Sequence, residues 1–214
     1  MNSINSHPEE SLDPQDLLRK VQEGQEGEFG QLLQIYRNYL RLLAESQLDH
    51  KLRARVSPSD LVQETMLDAH RDFGSFRGSS EREFLAWLRK ILVNNLARVI
   101  ELHVMAGKRD IRRDISLDGI RASLDKSTIQ LGQVFAGREE TPSAHLQRHE
   151  RAVVLADLMS RLTGPHREVL VLRNLQGLRF NEVAERMERT VPATKMLWMR
   201  AIKQLRKLFD AQVN

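Results

Sequence analysis

Arg179–Met187 reads RFNEVAERM, Glu188–Thr190 reads ERT, and Val191–Phe209 reads VPATKMLWMRAIKQLRKLF. The first piece is a short amphipathic helix, the second a three-residue break, and the third a longer, strongly basic helix. Short helix, tight turn and cationic helix make a helix-turn-helix, whose second helix enters a DNA major groove. Within that helix Thr194, Trp198, Ala201, Leu205 and Leu208 recur at spacings of three and four. That row is expected to pack on Val183, Ala184 and Met187, with Trp198 as a structural core residue. The opposite face then carries Ala193, Lys195, Met196, Met199, Arg200 and Lys203. Thr190 is placed to cap the helix, leaving amide donors where a phosphate can sit. The competing reading of the same residues is a helical hairpin with a solvated basic surface.

Charge placement favours the first reading. Residues 1–100 carry 13 Arg and Lys against 15 Asp and Glu, residues 101–150 carry 8 against 8, and residues 151–214 carry 12 against 6. The C-terminal third therefore has the electrostatic footprint of a nucleic-acid binder. The more acidic first half fits a protein partner better than a DNA duplex.

Upstream, apolar residues again fall at helical spacing: Leu17, Leu18, Val21, Phe29, Leu32, Leu33, Tyr36, Leu40 and Leu43. Gly24 and Gly27 separate a short first helix from a second over about 28–44. Ser57-Pro58-Ser59-Asp60 is a helix start, with Ser57 as cap and Pro58 in the first turn. The inward face of that third helix is expected to include Leu61, Thr65 and Leu67 or Asp68. Gly74–Ser80 (GSFRGSS) breaks the helix, and a fourth follows over about 81–102, with Phe84 and Trp87 in the core. Residues 106–147 hold no long period and read as a flexible linker with weak local structure. The expected fold is all-α: a helical bundle over 12–105, the linker 106–147, and a four-helix domain with the helix-turn-helix over 148–211.

The chain has no cysteine, so no disulfide or thiolate metal site is expected. No phosphate loop, dinucleotide fingerprint or HExxH motif is present, so no cofactor, metal or enzymatic activity is expected. The polar N-terminus has no apolar core of a secretory signal, and no apolar run approaches the roughly 20 residues that span a bilayer. A cytoplasmic protein with no direct membrane insertion is expected.

Together the two halves resemble the extracytoplasmic-function (ECF) sigma factors of the sigma-70 family. Asp60-Leu61-Val62-Gln63-Glu64-Thr65-Met66 is similar to that family's core-binding helix. Phe73–Gly78 followed by Glu83-Phe84-Leu85-Ala86-Trp87-Leu88-Arg89-Lys90-Ile91 resembles its melting region, continued by Asn94 and Asn95. Leu158–Leu162, Arg167–Val169, Leu172-Arg173, Gly177-Leu178, Glu182–Ala184 and Arg200–Arg206 match its −35 reader. The resemblance implies two partners, core RNA polymerase and promoter DNA, and leaves the existence of an anti-sigma factor open. It assigns polymerase docking to Asp60, Leu61, Gln63, Glu64 and Asp68. It assigns −10 binding and melting to Ser75, Phe76, Arg77, Arg82, Arg89, Lys90, Asn94, Asn95 and Arg98, with Phe76 either core or base-catching. Lys108, Arg109, Arg112 and Arg113 are expected to track DNA between the elements or to form a solvated linker edge. Binding of the −35 element falls to Thr190, Ala193, Lys195, Met196, Met199, Arg200 and Lys203, with base reading mainly by Lys195, Met196 and Met199, Lys203 on phosphate and Arg200 open to either role. Arg179 stands where the family has a capping Ser or Thr, so that helix start is expected to lose about 0.5–2 kcal/mol of capping unless Asn181 or water compensates. A stand-alone helix-turn-helix regulator and a helical adaptor without a DNA role are the competing readings.

Overall fold

The structure is a computed structural model that describes residues 13–213 except 26, 49–51, 53, 54, 106–116 and 134–143. Among the described residues there are helices and turns and no strand. The helices are α1 (Pro14–Gln22), α2 (Gly27–Gln47), α3 (Pro58–Asp72), α4 (Glu81–Met105), α5 (Leu117–Gln133), α6 (Ala144–Ser160), α7 (Gly164–Leu170), α8 (Phe180–Arg186) and α9 (Val191–Val213). A short 3₁₀ turn, Phe73–Ser75, follows α3, and α7 runs on into a wider π-type turn, Val171–Leu175.

The starts follow from local chemistry. Asp13 accepts from the Gln15 amide at 2.9 Å, and Ser57 accepts from the Ser59 amide at 3.2 Å. In each case proline opens the helix, where its missing N–H costs nothing. Two helices end at a glycine or nearby turn that needs a left-handed backbone: Gly24 has φ +94° and Gly177 has φ +72°.

α2 is the axis. Phe29, Leu32, Leu33, Tyr36, Tyr39, Leu40 and Leu43 are buried along it, and α1, α3, α4, α5 and α6 all pack on it. Burying those side chains, each contributing about 1.5–3 kcal/mol on full burial, opposes the entropy of ordering the bundle. The C-terminal half packs on the same helix. Asn38 Nδ2 donates to Asp157 Oδ1 at 2.8 Å, the Glu45 carboxylate lies 3.7 Å from Arg167, and Gln176 donates to the Glu45 carbonyl at 3.4 Å. Burial at this contact pushes the Asp157 carboxyl above its usual range.

The expectation of weak structure across residues 106–147 does not hold at Leu117–Gln133, which is helical. Ile120, Leu124, Ser127 and Thr128 are its buried side. Their spacing is helical, but two of the four are hydroxyl residues, so the stripe does not stand out as apolar text. Tyr39 and Thr128 hydroxyls meet at 2.9 Å, and Ser46 donates to Ser127 at 3.2 Å. Those bonds satisfy polar groups that burial would otherwise penalise.

Candidate functional site

α3 sits with Leu61, Val62, Thr65 and Ala69 buried against its neighbours. Leu61, expected at the polymerase interface, is only 1% exposed and belongs to the protein's own core. Of Leu67 and Asp68, one of which was expected on the inward face, Leu67 is 64% exposed and the Asp68 side chain only 16%. A helix has one inward stripe, and Thr65 fills the position between Leu61 and Ala69 by turning its hydroxyl onto the Leu61 carbonyl at 2.8 Å. The outer face presents Asp60 and Gln63, with Glu64 and Asp68 half-buried beside them. Glu64 pairs with Arg98 of α4, and Asp68 pairs with Arg71 at 2.8 Å and accepts from Asn95 at 3.0 Å. Among the described residues Asp60 makes no ion pair, so it is the acid of this face least committed within the protein.

The segment before α4 is held, not loose. Glu83 Oε2 accepts from the Ser79 amide at 2.9 Å, the Ser80 amide at 3.1 Å and the Ser80 hydroxyl at 2.7 Å. The Glu83 amide donates back to the Ser80 hydroxyl at 3.3 Å, closing a capping box. These donors, the Ser79 amide first, hold the Glu83 carboxyl below its usual range. Two glutamines of α1 fasten the same segment: Gln15 donates to the Ser79 carbonyl at 2.9 Å and Gln22 to the Gly78 carbonyl at 2.8 Å. Neither glutamine was singled out in the sequence, because nothing local to either signals a partner 56 or more residues away.

Above this loop the aromatic rings gather. Phe76 lies 5.3 Å from Trp87, 5.6 Å from Phe84 and 5.9 Å from Phe73. Phe84 is buried as expected, whereas Trp87 and Phe76 are half-buried and expose an edge. A Cβ on Gly78 would stand 2.5 Å from the Phe76 ring, so only glycine lets the ring lie across the chain. Ser75 and Arg77 are exposed at the rim, and Arg77 donates to the Gly74 carbonyl at 2.7 Å.

Along α4, Arg82, Lys90 and Asn94 are exposed as a DNA-facing role requires. Two expected contacts are corrected. Asn95 is 4% exposed and donates to Thr65 and Asp68, so its amide locks α4 to α3 instead of facing a nucleic acid. Arg89 is turned onto Asp125 of α5, with a side chain 13% exposed. Arg98 is exposed but paired with Glu64. Lys108, Arg109, Arg112 and Arg113 lie outside the described residues.

In the C-terminal half, α8 starts at Arg179, whose amide donates to Glu182 Oε2 at 2.7 Å. Glu182 thus satisfies the amide of the cap residue itself, the reciprocal half of a capping box, whereas a Ser or Thr at this position would accept from an amide further along the first turn. Between α8 and α9, Arg189 N bonds to the Ala184 carbonyl at 2.9 Å and Glu188 N to the Glu185 carbonyl at 3.1 Å, a Schellman closure. Its left-handed position is Glu188, with φ 53°. Replacing Glu188 by glycine is expected to relieve that strain and raise stability by about 0.5–1 kcal/mol. Thermal unfolding of the two proteins would show it; a lower melting temperature would mean that the Glu188 side chain has a stabilising contact of its own.

Thr190 caps α9, accepting from the Ala193 amide at 3.4 Å. Thr194, Ala201 and Leu205 are buried, while Ala193, Lys195, Met196, Met199, Arg200 and Lys203 are exposed on the other side. Trp198 departs from the expected core position: it is half-buried, packed against the edge of the core with Phe180 5.8 Å away. Its indole N–H donates to Asn174 Oδ1 at 2.9 Å, the partner such a donor needs when buried. The Arg173 guanidinium lies 4.9 Å over the Phe180 ring. One basic face with two exposed methionines, on a rigid two-helix support, has the shape of a major-groove reader.

Among the described residues no three His, Asp or Glu side chains gather as a metal site, and no helix is long and apolar enough to cross a membrane.

The ECF sigma factor family model matches residues 13–210. The ECF RNA polymerase sigma-E factor of Haemophilus influenzae is 29% identical over 192 residues, covering 90% of this chain and 93% of the relative. That of Escherichia coli K12 is 28% identical over 196 residues, covering 90% and 92%. Among solved structures, CnrH in complex with the cytosolic domain of CnrY matches at 22% identity and TM-score 0.32, covering 93% of this chain and 99% of that one. The RsbN–BldN complex matches at 24% identity and TM-score 0.31, covering 89% and 98%. The chain belongs to the ECF sigma factor family. It is a transcription initiation factor that binds core RNA polymerase and directs promoter recognition and opening.

Proposed function

We propose a division of that work among three surfaces. α3 docks on the polymerase through Asp60, Gln63 and Leu67, with Glu64 and Asp68 beside them. The exposed edge of Phe76 and Trp87, rimmed by Arg77, Arg82, Lys90 and Asn94, takes the unpaired −10 strand. α9 reads the −35 element through Ala193, Lys195, Met196, Met199 and Arg200, with Lys203 on phosphate. Residues 12–105 act as the docking and melting unit, 148–211 as the −35 unit, and the segment between them as their connection. Stacking on aromatic edges with nearby cations is how single strands are held without catalysis, so the protein positions DNA and leaves bond-making to the polymerase. An anti-sigma factor and a cytoplasmic location accompany this reading.

The observation that carries it is the sorting of α9, where the methionines and cations face solvent while Thr194, Ala201 and Leu205 face the core. Run-off transcription with purified core enzyme is the test. Transcripts should require both the protein and a promoter, whereas a stand-alone regulator would bind duplex DNA as well without the core enzyme as with it.

A promoter-library selection separates the roles on α9. Met196→Ala and Met199→Ala are expected to change −35 preference by about 1–3 kcal/mol at single positions. Lys203→Ala is expected to weaken all sequences together and to reduce the salt dependence. The same preference in all three variants would place base reading on another face.

A further inference from the structure

We propose that α5 is an intramolecular competitor of promoter DNA: it takes Arg89 out of the −10 surface and ties that surface to the −35 half until DNA or polymerase displaces it. The proposal rests on the reading of α4 as the −10 helix.

Three observations meet here. First, Arg89 stands one residue before exposed Lys90 on α4, yet its guanidinium is bonded to Asp125 of α5. The pair is lopsided, since the Arg89 side chain is 13% exposed and that of Asp125 62%. Arg89 Nε is buried without a hydrogen-bond partner. An arginine placed only to hold a core together normally satisfies its buried donors. Arg89 is therefore incompletely satisfied by α5, and a phosphate, which suits the planar fork of guanidinium donors, would compete for it.

Second, the α4–α5 contact is loosely filled. A cleft of about 400 Å³ lies between them, lined by Ala86, Lys90 and Val93 on one side and Arg121 and Leu124 on the other. Arg89, Lys90 and Arg121 bring three cations to this cleft, and among the described residues Asp125 is the one carboxylate lining it. The cleft is open to solvent, and like charges around it oppose its closure.

Third, half of the inner side of α5 is hydroxyl, with Ser127 and Thr128 standing beside buried Ile120 and Leu124. Tyr39 and Ser46 of α2 meet Thr128 and Ser127, and Ser127 also points to the Leu175 carbonyl of the −35 half at 3.5 Å. Hydrogen bonds of this kind exchange for water at small net cost, unlike an equal area of hydrocarbon. One helix thus bridges the docking half and the −35 half by bonds suited to release. The affinity of the free protein for the −10 strand is then its intrinsic affinity multiplied by the fraction of molecules in which α5 is displaced.

Asp125→Lys in the full-length protein tests the competition. The probe is a fluorescent single strand bearing the non-template −10 region of a promoter active in run-off transcription. The variant is expected to bind it about tenfold more tightly than the parent, with faster hydrogen exchange across α5. Asp118→Lys, an equal charge change at a 90% exposed side chain of the same helix, should not reproduce the gain. Because the chain has no cysteine, Ala86→Cys with Arg121→Cys can be joined by a short bis-maleimide, and the joined protein should bind the strand less well than the unjoined one. Equal gains from Asp125→Lys and Asp118→Lys, unchanged α5 exchange, or no change in affinity once α5 is released would each overturn the proposal. Lys90→Ala tells its failure from failure of the underlying reading. If Lys90→Ala weakens binding while Asp125→Lys does nothing, the −10 surface stands and the competition falls. If Lys90→Ala has no effect in either background, both fall.

Discussion

Asp60→Lys is expected to weaken binding to core polymerase by about 10- to 100-fold, or roughly 1.4–2.8 kcal/mol, while the isolated protein keeps its stability. The asymmetry comes from how the acids on α3 are used. Glu64 and Asp68 have partners within the protein in Arg98, Arg71 and Asn95, so reversing either would disturb the α3–α4 contact as well as the docking face. Asp60 is exposed on the first turn with no such partner among the described residues, and the α3 cap belongs to Ser57. Its charge can therefore be reversed with little cost to folding, apart from a small unfavourable interaction with the helix N-terminus. Competition against a labelled sigma factor on core enzyme measures the effect. Unchanged affinity with native circular dichroism would remove Asp60 from the docking face, and Leu67→Ser would then test whether the face is apolar instead.

The helix-turn-helix was legible because every feature that defines it is local. The cap at Thr190, the buried spacing of Thr194, Ala201 and Leu205, and the exposed cations between them all lie within one short stretch. What the sequence hid were contacts between distant segments and polar residues used as core. Asn95 looked like a base-edge reader, since an exposed amide on that helix could be one. Its burial depends on Thr65 and Asp68, 30 and 27 residues away, filling the space that would have been solvent. α5 was missed for the same reason, with Ser127 and Thr128 standing where a stripe of hydrocarbon would have announced a helix. In each case a buried hydroxyl or amide with a partner replaced an apolar side chain, and hydropathy carries no record of the partner.

The aromatic cluster allows folding and function to be separated within one contact group. Phe84→Ala is expected to cost about 3–5 kcal/mol, because the ring is fully buried and its removal leaves a cavity that rigid helices close only in part. For a chain of this length that corresponds to a fall in melting temperature of about 6–20 °C. Phe29, Tyr36, Phe76 and Trp87 all lie within 6.1 Å of the Phe84 ring, so the loss should also release Phe76 from its place across Gly78. Phe76→Ala removes a half-buried ring at the edge of the same cluster and should cost less than half as much stability. If that edge receives an unpaired base, Phe76→Ala should impair opening of a duplex promoter more than binding to a pre-melted one, at a temperature where both variants remain folded. Calorimetry gives the stabilities, and permanganate footprinting on the two templates gives the opening. A Phe76→Ala protein that opens duplex promoters as the parent does would make the whole cluster a support for α4, with strand capture left to Arg77, Arg82, Lys90 and Asn94.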